Sequence, residues 1–140
     1  MVACPDGATD AVAIHLATGA AVDAKNAKGS TSLIVASAGG YINCVALLLE
    51  GKAAVNATNS ARLTALVAAA AGGHTATVVA LTEGGANTEA ATSTGITSLI
   101  LATQKGHSEC VGALLEAGAD ANAMTVDGNT SLLFACTYGH

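Results

Sequence analysis

Short apolar runs and short polar links alternate along this chain, and the alternation repeats. Residues 32 to 39 are apolar and alanine-rich, Gly39-Gly40 interrupts them, and residues 42 to 50 are apolar again. A polar, glycine-containing link follows each such block; Lys25-Asn26-Ala27-Lys28-Gly29-Ser30 has the composition of a β-turn. This pattern predicts pairs of short helices joined by tight turns, at about 9–17, 32–39, 42–50, 65–72, 75–83, 98–105, 108–116 and 131–138. The register is a strict 33 residues: Thr31, Thr64, Thr97 and Thr130; Leu33, Leu66, Leu99 and Leu132; Ala36, Ala69, Ala102 and Ala135; Gly40, Gly73, Gly106 and Gly139. A fixed period of this size marks a stacked repeat. Helices this short are marginal alone in water, so each pair must be held by its neighbours.

The residues Gly95-Ile96-Thr97-Ser98-Leu99-Ile100-Leu101-Ala102, then Gly106-His107, then Leu114-Leu115-Glu116-Ala117-Gly118-Ala119-Asp120-Ala121-Asn122-Ala123 resemble the ankyrin repeat family. The same frame runs from Thr31 to Ala57 and from Thr64 to Ala90, and Gly7, Val12, Gly19, Ala20, Asp23 and Ala24 match the second half of a unit. The resemblance implies an all-α repeat solenoid of stacked helix–turn–helix units joined by β-hairpin-type loops. Residues 1–140 then form one domain: a partial unit at 1–24, full units at 25–57, 58–90 and 91–123, and a partial unit at 124–140. Three departures stand out. Ser or Ala replaces the family's proline after each threonine, which removes a favoured helix-start residue. Arg62 stands in the column of Gly29, Gly95 and Gly128, and Lys52 in that of Gly19, Gly85 and Gly118. If those columns need positive φ, both cations carry strain that glycine avoids.

Only 11% of residues are charged, against roughly 25% in an ordinary soluble domain. Ten acids against five Lys and Arg give a net charge of −5, so the basic stripe that nucleic-acid binding needs is lacking. No apolar run reaches the ~18 residues of a membrane span. Cys44 and Cys110 share a column two units apart, as Cys4 and Cys136 share another. With helices packed at about 8–10 Å, two units are too far for a disulfide. Unpaired thiols lean towards a reducing, intracellular and cytoplasmic setting. The frame starts and stops mid-unit, and solenoids are capped by polar ends. Further repeats or another subunit are therefore expected over the end faces.

The columns also absorb the candidate chemistry. His74, His107 and His140 recur with Tyr41 in one column. One repeat apart, they are too distant to share a zinc ion with ligands at ~2 Å, and they read as turn histidines bonded to nearby backbone. His15 reads as an edge residue. Glu50, Glu83 and Glu116 fall at helix C-termini, where the dipole offers them nothing, and read as solvated. Asp23, Asn56, Glu89 and Asn122 are expected to bond local backbone. No spacing supports a nucleophile with its base, so neither catalytic residue, metal nor cofactor is predicted.

What remains is a surface. By resemblance, partners contact the hairpin tips and the ends of the first helices. Four of the five basic residues fall there, Lys25, Lys28, Arg62 and Lys105, against one acid, Asp127. The candidate contact residues are Lys25, Lys28, Ser30, Ser60, Arg62, Leu63, Ser93, Ile96, Gln104, Lys105, Met124, Val126, Asn129 and Tyr138. They describe a face that is mildly basic in its first half and small and apolar through Leu63, Ile96, Met124 and Val126. Apolar surface of this kind marks interfaces. The expected function is a non-catalytic protein-binding module, a scaffold subunit of a larger assembly. The runner-up is a regulatory segment of a longer chain whose enzyme or channel portion lies elsewhere.

Overall fold

A computed structural model of the protein describes residues 6–140, with side chains described from Thr9 onward. Eight helices follow one another among these residues: α1 (Asp6–Ala17), α2 (Ser32–Gly39), α3 (Ile42–Glu50), α4 (Ala65–Gly72), α5 (Thr75–Glu83), α6 (Ser98–Gln104), α7 (Ser108–Glu116) and α8 (Ser131–Tyr138). They form two rows. In the inner row α2 packs on α4, α4 on α6 and α6 on α8, and in the outer row α1, α3, α5 and α7 pack in sequence. Each inner helix also packs on the outer helix that follows it, α2 on α3, α4 on α5 and α6 on α7. The chain is therefore an all-α solenoid. Its only β pairing among the described residues is three isolated antiparallel bridges, Lys25 to Thr31, Ala91 to Thr97 and Met124 to Thr130, which close the turns between pairs.

The inner helices start and stop by one local mechanism. Each begins after a threonine in extended backbone whose Oγ1 accepts the N–H three residues on, at 3.4 Å for Thr31 and 3.3 Å for Thr64, Thr97 and Thr130. This satisfies a donor that a helix N-terminus otherwise leaves open. The missing proline is thus compensated by the residue before it. Three of the four end on a left-handed glycine, Gly40, Gly73 or Gly139. The fourth closes on Lys105, one residue before Gly106 at φ 75°.

The outer helices are anchored differently. Tyr41, His74 and His107 precede them and make no side-chain cap of their own. Instead, the two imidazoles reach back to the inner helix of the previous repeat, His74 Nε2 to the Ala38 carbonyl of α2 at 3.1 Å and His107 Nε2 to the Ala71 carbonyl of α4 at 3.2 Å. The rings lie over the column of turn glycines. A Cβ on Gly73 would sit 2.7 Å from His107 Nδ1, and one on Gly40 would collide with His74. Glycine is required there for its φ and for the ring that covers it. α1 begins at Asp6, earlier than expected, and runs through Gly7 instead of breaking there. Ala8 stands where Tyr41 and His74 stand, so a strong helix former replaces the ring that marks the turn.

The core is a stack of columns. Leu33, Leu66 and Leu99 are buried, as are Leu48, Leu81 and Leu114 and the alanines 36, 69 and 102. Each fully buried leucine contributes about 1.5–3 kcal/mol, and alanine between the inner helices lets them approach closely. Cys44 and Cys110 are buried in the same stack, and the Cys110 Sγ lies 3.3 Å from Thr75 Oγ1; Cys4 lies outside the described residues. Lys52 and Arg62 both adopt positive φ, 64° and 60°, so the two glycine columns they interrupt do demand that conformation.

Candidate protein-binding face

Each hairpin is shaped by a short polar side chain at one column. Asn26 Oδ1 accepts the N–H groups of Lys28 and Ser30 at 2.9 and 3.1 Å, and Asn59 Oδ1 those of Ala61 and Leu63 at 2.9 and 3.0 Å. Thr92 and Thr125 do the same with one bond each, to Ile96 and Asn129, at 3.2 Å. These four residues organise the surface although sequence reasoning did not single them out. Their signal was present: an Asn or Thr every 33 residues, each able to accept two to four residues on.

The candidate contact residues fall into two groups. In the first, Lys25, Lys28, Ser30, Ser60, Arg62 and Leu63 lie on the first two hairpins, which are tied together. Lys25 Nζ donates to the Thr58 carbonyl at 3.0 Å, Ser60 Oγ to the Lys28 carbonyl at 2.9 Å, and Asn59 Nδ2 to Ser30 Oγ at 3.2 Å. Ser30 is buried, and its hydroxyl serves the joint between hairpins. Leu63 is half-buried against the core. In the second group, Ser93, Ile96, Met124, Val126 and Asn129 lie on the third and fourth hairpins, tied by the Val126 N–H to the Thr94 carbonyl. Ile96 and Asn129 are half-buried, whereas Met124 is 63% and Val126 70% exposed. Gln104 and Lys105 end α6. Tyr138 ends α8, its ring stacked between Phe134 and His140 at 6.2 and 6.3 Å.

Among the described residues Lys28, Arg62 and Lys105 form no ion pair and no side-chain hydrogen bond. All three are exposed, so their charges face solvent uncompensated. Glu50, Glu83 and Glu116 are exposed at the far ends of the outer helices.

Asp23, Asn56 and Glu89 depart from the local bonding expected of them. Asp23 Oδ1 accepts the Ala54 N–H, Asn56 Oδ1 the Asn87 N–H, and Glu89 Oε1 the Asp120 N–H, at 2.9, 2.8 and 2.9 Å. Each reaches the next turn along the stack, where an N–H one repeat away lies within bonding distance. His74 and His107 likewise bond backbone one repeat back. The solenoid is thus laced along its length on both edges. His15 is exposed and bonds only its own helix, through Nδ1 and the Ala11 carbonyl at 2.7 Å.

No group of three His, Cys, Asp or Glu side chains that could hold a metal occurs among the described residues, and no helix there is long and apolar enough to cross a membrane. A groove of about 420 Å³ lies at the α1–α2 end and is lined by Val12, Val35, Tyr41 and Leu48 with Ser30, Thr31 and Ser32.

A family model described as ankyrin repeats in three copies matches residues 1–92 and 77–140, which together span the chain. A comparison with curated proteins gave no match.

Proposed function

Because the chain belongs to the ankyrin repeat family, whose repeats are generally protein–protein interaction modules, we propose that it is a non-catalytic binding subunit that holds a protein along its hairpin rim. The reading treats residues 1–24, 25–57, 58–90, 91–123 and 124–140 as its successive units. The observation that carries it is the unbalanced rim: exposed, unpaired Lys28 and Arg62 on the first two hairpins, and exposed Met124 and Val126 on the fourth. Apolar side chains this exposed, on a surface so poor in charge, lose little and gain contact area when covered. The cations fix orientation and speed encounter.

A standing place in a multi-protein assembly suits this charge-poor surface, with its exposed Met124 and Val126, better than free exchange between partners. An intracellular, cytoplasmic setting suits the unpaired thiols of Cys110 and Cys136. The test is affinity capture with crosslinking, followed by titration of the captured partner against Lys28→Glu/Arg62→Glu. Crosslinks on the rim, and affinity that falls in the double variant and loses its salt dependence, support the reading. Crosslinks confined to the outer helices, with affinity unchanged, remove it.

A further inference from the structure

Neighbouring hairpin tips are joined by a backbone hydrogen bond at two of the three junctions. The Ser60 N–H donates to the Lys28 carbonyl, and the equivalent Val126 N–H donates to the Thr94 carbonyl, both at 3.2 Å. At the middle junction the equivalent bond would run from the Ser93 N–H to the Ala61 carbonyl, and it is not formed. The junction without the bond is also the one whose glycine column is interrupted. Arg62 occupies the column of Gly29 and Gly95 in the left-handed conformation, at φ 60°. A Cβ on Gly29 would lie 3.2 Å from the Ser60 nitrogen, and one on Gly95 only 2.9 Å from the Val126 nitrogen. At Arg62 the Cβ is real. By analogy with the other two junctions it crowds the next tip's N–H, and the Ser93-to-Ala61 bond is the one that is missing.

Three groups are left open at this junction: the Ala61 carbonyl, the Ser93 N–H and the Arg62 guanidinium. All belong to exposed residues. We propose that this notch binds an acidic side chain on an extended segment of a partner protein. The carboxylate accepts from the Ser93 N–H and from Arg62, a charge-assisted pairing stronger than either neutral bond. The Ala61 carbonyl takes a backbone N–H of the same segment. That last group favours a peptide over a nucleic acid: an extended peptide offers an N–H at every residue, whereas a phosphate backbone offers none. The net charge of −5 also repels a polyanion. Lys28, one tip away, adds charge of the same sign. The inference rests on the protein-binding reading and narrows it to a place and a chemistry.

The experiment follows backbone amides by NMR, using three probes: a blocked peptide alternating Gly and Glu, its Gly and Gln counterpart, and a thymidine oligonucleotide. In the free protein the Ser93 amide exchanges at least about tenfold faster than the Ser60 and Val126 amides, as an open donor should. Arg62→Gly lets the middle tips join and brings Ser93 to the level of the other two. The Glu peptide shifts the Ser93 and Arg62 resonances and the Gln peptide does not. Arg62→Gln weakens that binding about fivefold, the scale of one exposed charged contact, while Arg62→Lys weakens it less. Equal protection of the three amides in the free protein overturns the proposal, as do a Gln peptide that binds as well as the Glu peptide and a Ser93 resonance that answers only the oligonucleotide. A captured protein whose crosslinks fall on Met124 and Val126 and leave Ser93 unshifted also overturns the notch, while the binding-module reading survives.

Discussion

Helices α4 and α8 share their columns and their local chemistry, yet one is buried and the other is not. Both start on a threonine cap, Thr64 or Thr130, at 3.3 Å, and both stop on a left-handed glycine. Leu66 is 1% exposed, while its counterpart Leu132 is 72% exposed. Val67 is buried, and Leu133 is half exposed. α4 touches α2, α6 and α5, whereas α8 packs chiefly on α6. Helix formation in this chain is thus set within about ten residues, while burial is set by which helices stand beside it. A column assigns a residue its direction. The stack decides how much water that direction removes.

The largest test of this comparison is truncation of the shared leucine. Leu66→Ala should cost about 2–5 kcal/mol, the range for a core leucine, read as the shift in urea midpoint. Leu132→Ala should cost under about 1 kcal/mol, because little transfer from water is lost. Equal costs would show that α8 is covered in solution.

The turn glycines come next. Gly73→Ala combines left-handed strain of about 1–2 kcal/mol with a Cβ 2.7 Å from the His107 ring. It should cost about 2 kcal/mol or more in thermal unfolding. Gly139→Ala meets nothing within 4 Å and should show only the backbone strain, about 1 kcal/mol. The cap should separate the helices less. Thr64→Ala should cost about 1 kcal/mol and Thr130→Ala about half that, measured by denaturant unfolding, since a helix end already open to solvent gains less from its cap. The last effect is comparably small and has the opposite sign. Arg62→Gly should stabilise the protein by about 0.5–1 kcal/mol through relief of φ strain, with a midpoint that rises slightly. A fall would mean that Arg62 makes a contact in solution that offsets its strain.

Much of this was legible in the 33-residue register. The helix pairs, the core columns, the turn glycines and the positive φ of Arg62 and Lys52 all follow from periodicity and backbone sterics. Several features were not. Asp23, Asn56 and Glu89 were expected to bond locally, and they bridge repeats instead, because a polar residue in a column does not announce which open N–H lies nearest. Ser30 was placed on the rim by register, yet it is buried by Asn59 from the next hairpin. The column of Asn26, Asn59, Thr92 and Thr125 is visible in the spacing, but nothing in the spacing separates a residue that folds the tip from any other polar column.

What the linear chain determined by itself is the short-range part: where each helix begins and ends, and which columns are apolar. Those depend on bonds spanning three or four residues and on the φ that each side chain tolerates. What the assembled stack alone decided is everything that spans a repeat. That includes the histidine and carboxylate lacing, the burial gap between Leu66 and Leu132, and the open middle junction beside Arg62. Each of these depends on how closely one hairpin or helix approaches the next, a distance of a few ångströms that no spacing in the sequence records.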